Sequence, residues 1–165
     1  MVGIHEISIT MTKQVILILS KLFPLYHSKK RERTNFRANL ENGLKIHTIR
    51  ANYDQWKHNL DKVINGDFVC SVREWTGRPY NSKQKEIKTY TGKQMGYQRI
   101  TMTYDPTTDV LEAIVDGKPI WDIHSLAQND GLPLRDFKEW MFGAKKTAQK
   151  QRFTGIIIHF TDFRY

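Results

Sequence analysis

The chain alternates between short apolar stretches and polar stretches, and several of the apolar stretches have the spacing of β-strands. In "RITMTY", apolar or aromatic residues recur at every second position, which is typical of a strand with one buried face. The run "VILIL" is continuously apolar and predicts a strand that is buried on both faces. The strands that this pattern predicts are residues 15–19, 45–49, 67–75, 97–104, 110–115 and 154–163.

Other segments have helical periodicity. In "NYDQWKHNLDKVINGD", Trp56, Leu60 and either Val63 or Ile64 share one helical face, and the glycine that follows ends the run. The segment "IHSLAQNDGLPLRDFKEWMF" predicts a short helix, a break at Asp130 and Gly131, and then a second helix. A further short helix is expected in "FRANLENG", with a polar residue before it as a cap and a glycine at its end.

These elements predict an α+β fold in one domain. Five or six clustered strands with helices near the start and before the last strand indicate a small β-barrel or strongly curved sheet, with the helices packed outside. Residues 11–165 form the expected domain, and residues 1–10 are expected to be an N-terminal extension. Residues 75–97 read as a basic insertion, either a hairpin arm or a loop, that contains Trp75, Tyr80 and Tyr97.

Composition adds a strong positive charge. The 165 residues include 26 Lys and Arg against 17 Asp and Glu, a formal net charge of +9. A charge of this size favours contact with phosphates, although it also serves solubility. The longest apolar run is far shorter than the roughly 20 residues of a membrane span, so no membrane association is expected.

The same inventory narrows the chemistry. The single cysteine, Cys70, lies in an alternating apolar run, which indicates a buried free thiol and a reducing, cytoplasmic setting. The six histidines form no pair with metal-ligand spacing, so no metal site is predicted. No glycine-rich phosphate-binding motif occurs, so no nucleotide cofactor is implied.

One polar segment, "GLKIHTIR", carries more chemistry than an ordinary strand needs. Lys45 lies between apolar neighbours, so burial of its amine would lower the pKa and allow it to act as a base. Thr48 offers a hydroxyl, and Arg50 offers a fork of donors for a carboxylate or phosphate. In a regular strand, Lys45 and Thr48 would be on opposite sides, so a shared site requires a bulge. The alternative is that Lys45 and Arg50 face solvent and Thr48 is simply a good strand former.

The spacing Gly43-x-Lys45-x-x-Thr48-x-Arg50 resembles the signature of the ASCH domain, a branch of the PUA-like β-barrel superfamily. The segment "LAQNDGLPLRDFKEWM" is similar to the acidic residue and helix that precede the last strand in that family. The resemblance covers roughly residues 35–163, without a counterpart for the 75–97 arm in the smallest members. The wording "TNFRANLENGLKIHTIRANYDQW" also resembles uncharacterised proteins of Bacteroides-type bacteria and their phages.

The resemblance implies a site. In the small ASCH enzymes that deacetylate acetylcytidine, a Lys, a Thr and a downstream Glu act together. Carried over by position, Lys45 would be the proton acceptor, Thr48 the nucleophile and Asp130 the acid. Asp130 is one methylene shorter than the family's Glu, and a general acid must lie within hydrogen-bond reach of its target.

The leading hypothesis is therefore an ASCH-like protein that binds RNA or a nucleotide through Lys45, Thr48, Arg50 and Asp130. One alternative is an amidohydrolase that deacylates acetylcytidine-type nucleosides. Another is a phage or mobile-element accessory protein that sequesters a nucleotide or blocks a host protein. The further candidates for ligand contact are His27, Lys29, Lys30, Arg31, Arg33, His47, Trp75 and Tyr80.

Overall fold

The structure is a computed structural model, and it describes residues 12–143 and 148–165. The predicted extension at residues 1–10 lies outside the described residues. The chain order is β1 (Gln14–Ile18), α1 (Phe36–Glu41), β2 (His47–Arg50), α2 (Tyr53–Ile64), β3 (Val69–Trp75), β4 (Gln84–Tyr90), β5 (Gly96–Asp105), β6 (Val110–Val115), β7 (Lys118–Ile120), α3 (Ile123–Asn129), α4 (Leu134–Phe142) and β8 (Gln151–His159).

The described part of the chain is an α+β fold with eight strands in two sheets. One sheet has the order β1-β3-β4, and the other has the order β2-β8-β5-β6-β7. The first pairs β1 and β3 in parallel, whereas every pairing in the second is antiparallel. The expected barrel of five or six strands is not formed, because the described strands divide between these two open sheets.

The strand β1 corrects a second expectation. The apolar run predicted a strand buried on both faces, but burial alternates along β1. Val15 and Leu17 are buried, whereas Ile16 is 44% exposed. The prediction was wrong because β1 is an outer strand of the three-stranded sheet and only one of its faces meets the core.

Helix α2 connects the two sheets. Its residues Leu60 and Val63 are fully buried, and the helix packs against β5 and β8 of one sheet and β1 and β3 of the other. The hydroxyl of Tyr97 on β5 donates to Asp61 of α2 over 2.6 Å. The predicted helical face is therefore confirmed, and it forms the centre of the hydrophobic core.

The polar arm is a hairpin. Strands β3 and β4 pair antiparallel from Cys70 opposite Tyr90 to Trp75 opposite Gln84, with a bulge between Val72 and Arg73. The hairpin alternative of the sequence-based prediction is thus confirmed. Within the described residues, none of the helices is long and apolar enough to cross a membrane.

Candidate functional site

The motif residues are buried. Lys45 is 1% exposed, Thr48 is 3% exposed and Asp130 is 4% exposed. The Lys45 ammonium donates a short hydrogen bond to the backbone carbonyl of Asp130 and lies 4.4 Å from the centre of the Phe36 ring. Its pKa is lowered to about 8 by burial. Of the two alternatives that the sequence leaves open for Lys45, the structure has the buried amine and not the solvent-facing one.

Asp130 holds the edge of β2. It is the C-cap of α3, and its Oδ1 accepts the backbone N–H of Ile49 over 3.0 Å. The same oxygen lies 3.6 Å from the Lys45 ammonium and 3.4 Å from His47 Nδ1. Because β2 is an outer strand, its outward N–H groups need partners, and this carboxylate supplies one of them. We call Lys45, His47, Asp130 and Tyr165 the Asp130 cluster.

His47 connects this cluster to the end of the chain. Its Nε2 lies 2.8 Å from the Tyr165 hydroxyl, which accepts a 3.0 Å hydrogen bond from the Asn129 amide. That hydroxyl can then donate to Nε2, which puts the His47 proton on Nδ1, facing Asp130. The Nδ1 atom is buried and has no partner of hydrogen-bond geometry among the described residues.

A second buried histidine lies beside the first. His159 is directly opposite His47 in the β2–β8 pair, with ring centres 5.6 Å apart. Its Nε2 lies 3.0 Å from the side-chain oxygen of Gln98, while its Nδ1 is also without a described partner. Burial lowers the pKa of His159 to about 3, and it also lowers the pKa of His47.

Sequence reasoning missed His159, Gln98 and Tyr165. Each stands alone in an apolar or irregular stretch, and the contacts with His47 and its neighbours depend on which strands pair. The one available signal was the polar His159 at the end of the apolar run "GIIIH".

Thr48 and Arg50 lie on the face of β2 that is opposite to the His47 side chain. The register from His47 opposite His159 to Arg50 opposite Ile156 is regular, without the bulge that a shared site requires. Arg50 donates to the carbonyl of Ile18 in β1 over 2.5 Å, and burial lowers its pKa. The structure therefore brings Lys45 and Asp130 together and places the Thr48 side chain on the opposite face. Deacylation by these three groups stays a prediction from the resemblance.

His27 and Lys29 belong to a different region. His27 is 1% exposed; its Nδ1 accepts the N–H of Lys29 and its Nε2 lies 3.1 Å from the Asp136 carbonyl. Because Nδ1 is an acceptor, Nε2 carries the proton and donates. The Lys29 ammonium pairs with the Asp136 carboxylate over 2.6 Å. Both residues thus dock the basic loop onto α4, and the structure does not bring them to the Asp130 cluster.

An open groove lies between α1 and the β3–β4 hairpin. It encloses about 420 Å³. We call it the hairpin groove. Its charged lining residues are Lys21, Arg33, Arg37, Glu41, Glu74 and Lys85. Its base includes Phe36, whose ring also contacts the Lys45 ammonium. The groove therefore touches the ASCH-like motif through one aromatic ring.

The remaining candidates lie in the exposed loop before α1 or in the β3–β4 hairpin. Lys30, Arg31 and Arg33 are exposed, and Arg33 lines the groove. Trp75 ends β3 and contacts Tyr80, which is 89% exposed at the tip of the hairpin. The described structure thus divides the predicted set into a buried cluster and an exposed basic and aromatic surface.

A second depression, of about 550 Å³, lies between α4 and the β5–β6 turn. Its lining includes Tyr104, His124, Leu134 and Lys138. The Lys138 ammonium donates to the Asp109 carbonyl over 2.6 Å, which ties α4 to the turn. The depression therefore lies beside a contact that holds α4 against the turn.

No group of three or more His, Cys, Asp or Glu side chains in the described ranges has an arrangement that could hold a metal ion. Comparison with protein-family models, with curated proteins and with solved structures gives no match. The hairpin groove and the surface around it are therefore the candidate binding site.

Proposed function

We propose that the chain is an RNA- or nucleotide-binding protein of the PUA-like, ASCH type, and that it holds phosphate in the hairpin groove. The observation that carries this proposal is the groove itself, because it combines a cavity of ligand size with four basic side chains in its lining. The net charge of +9 supplies the long-range attraction for a polyanion.

Some charged side chains of the hairpin groove form ion pairs, and others do not. Arg37 pairs with Glu41 over 3.0 Å and with Glu74 over 3.1 Å, so both groove carboxylates share one guanidinium. Arg33 and Lys85 form no ion pair with a described acidic side chain. Lys21 also lacks such an ion pair, but its ammonium donates to the Thr76 carbonyl over 3.4 Å, so Arg33 and Lys85 are the residues to which we assign phosphate contact.

The motif residues act as supports in this proposal. Lys45 fixes the Phe36 ring of the groove base and the end of α3, and Arg50 ties β2 to β1. Lys45 is buried and Arg50 is half-buried, which explains why the segment "GLKIHTIR" carries so much polar chemistry without lining an open pocket. In this proposal the Asp130 cluster stabilises the edge of β2, and the hairpin groove binds phosphate.

A double substitution tests the assignment. Arg33→Ala with Lys85→Ala removes two phosphate contacts, and we expect the affinity for a single-stranded RNA of about 8 nucleotides to fall at least tenfold at low salt. Fluorescence anisotropy with a labelled oligonucleotide measures this. The matched control is Lys118→Ala with Arg152→Ala, which removes the same charge from exposed positions of the five-stranded sheet.

Equal losses in the two double variants would mean that net charge alone drives binding, and the groove would lose its role. Deacylation and sequestration of a nucleotide stay separate predictions. Incubation with acetylcytidine, compared with a Lys45→Ala variant, tests the first, and mass spectrometry of ligands that co-purify tests the second.

A further inference from the structure

The tip of the β3–β4 hairpin displays one aromatic ring in an unusual conformation. Tyr80 is 89% exposed, and its backbone φ of 63° lies in the left-handed region. For a bulky residue this region is an outlier, since the side chain crowds its own backbone. Such a strained conformation persists only where the surroundings enforce it.

The surrounding loop enforces it through hydrogen bonds. Thr76 bonds to the Lys83 carbonyl through both its N–H and its hydroxyl, each over 2.9 Å. Inside that pair, the Ser82 hydroxyl accepts the N–H of Gly77 over 3.0 Å and donates to the Arg78 carbonyl over 2.9 Å. The loop is therefore tied at several points, and the Tyr80 ring is held outward.

Trp75 backs the Tyr80 ring from one side. The ring centres are 5.3 Å apart, and the rings are inclined by 51°. A base cannot enter between two rings at this distance, because an inserted base needs a full stacking distance on each side. The solvent-facing side of Tyr80 remains, so the pair offers a platform for one base.

The platform and the groove are separated by the free edge of β4. Strand alternation places Glu74 and Lys85 on the groove side of the hairpin and Trp75 on the other side. Between them runs the outer edge of β4, which contains the exposed lysines Lys85 and Lys88 and is preceded by the exposed Lys83. A flexible single strand can bend over this edge, whereas a duplex of the same length is stiff.

We propose that Tyr80, backed by Trp75, is a preformed stacking platform for one unpaired base of a single-stranded nucleic acid whose neighbouring phosphates lie along β4 and in the hairpin groove. This inference rests on the proposed function and adds a substrate class, because every base presents a face for stacking only when it is unpaired. The backbone strain at Tyr80 is the feature that a purely structural tip residue would not need.

Three substitutions of Tyr80 test the platform by anisotropy with single-stranded RNA of about 8 nucleotides. Tyr80→Phe keeps the ring and should bind as the wild type does. Tyr80→Ala removes it and should weaken binding about tenfold. Tyr80→Gly relieves the backbone strain, so the thermal unfolding temperature should stay equal or rise while affinity falls as it does for Tyr80→Ala. Trp121→Ala, which removes an 88% exposed aromatic residue just after β7, is the control and should change nothing.

The outcomes separate the two proposals. Wild-type affinity in Tyr80→Ala and Tyr80→Gly, together with a loss in the Arg33 and Lys85 double variant, would overturn the platform and leave the groove in place. Equal affinity for the same sequence as a blunt duplex would overturn the single-strand assignment. The absence of any RNA binding by the wild-type chain would overturn both.

Discussion

Lys45 and Asp130 are two opposite charges almost completely removed from water, at 1% and 4% exposure. Burial of charges costs several kcal/mol for each ion unless partners compensate. Here the compensation comes from the Asp130 carbonyl, the Phe36 ring and the N–H of Ile49. Removal of one partner leaves the other charge buried and unpaired. The two single substitutions should therefore cost more stability in sum than the double substitution does.

A double-mutant cycle measures this coupling. We expect Asp130→Ala to lower the free energy of unfolding by about 3 kcal/mol, because it leaves the Ile49 N–H without its acceptor and the Lys45 ammonium without its counter-ion. Lys45→Met should cost less, since its apolar stem keeps the space filled. The double variant should lose less stability than the sum of the two single losses, as measured by urea unfolding, because neither charge is then left unpaired. Strict additivity would show that the two charges do not interact.

The two buried histidines predict acid sensitivity. The pKa of His159 is lowered to about 3 by burial, so between that value and the ordinary pKa of 6.5 the unfolded chain binds a proton that the folded chain refuses. Stability is therefore complete above pH 6.5 and falls as the pH drops towards 3, by up to about 1.4 kcal/mol per pH unit. His47, whose pKa is also lowered, adds to the same trend.

Urea unfolding of the wild type and a His159→Gln variant at several pH values between 7 and 4 tests this. The variant should lose less stability on acidification than the wild type, because its amide does not titrate. Parallel curves for the two proteins would assign the acid sensitivity to other groups.

At the scale of elements, the Asp130–Gly131 junction between α3 and α4 is the tightest contact with the motif. Gly131 has φ of 92°, and a Cβ there would lie 3.1 Å from Lys45 Cδ and 3.2 Å from the Phe36 ring. Gly43, after α1, has φ of 74° and open space around it. The two glycines therefore share a left-handed backbone and differ in crowding.

Alanine at both positions separates these effects. Gly43→Ala should cost about 1 kcal/mol from backbone strain alone, and Gly131→Ala should cost about 2 to 3 kcal/mol because its methyl group also displaces Lys45 and Phe36. Thermal unfolding of the two variants gives the comparison. Equal destabilisation would contradict the packing between Gly131 and Lys45.

The elements that the sequence predicts well are those with strong local periodicity. Strand β6 was predicted at its observed bounds, and α2 through its buried Leu60 and Val63. Strand β4, "QKEIKTY", was hidden because an exposed outer strand has a polar composition. The expected barrel failed because strand pairing is non-local: no local pattern shows that β1 joins β3 while β2 joins β8. The contact between Lys45 and Asp130 was expected from the resemblance, whereas the opposite orientation of Thr48 follows from the regular register of β2.

At the scale of the molecule, our proposal combines the net positive charge with the hairpin groove. In our proposal, the net charge of +9 attracts polyanions to every face, and the hairpin groove concentrates the contacts through Arg33 and Lys85. The Asp130 cluster fixes β2 and Phe36 behind that site. Binding through phosphates must then respond to salt in proportion to the number of contacts.

The most direct test is the affinity for single-stranded RNA of about 8 nucleotides at a series of salt concentrations, for the wild type and the Arg33→Ala, Lys85→Ala variant. We expect log Kd to rise linearly with log salt for the wild type. The slope should fall by about 1.4 in the variant, because two contacts with a single strand are lost. A wild-type affinity that does not change with salt, or slopes that are the same in both proteins, would contradict this expectation.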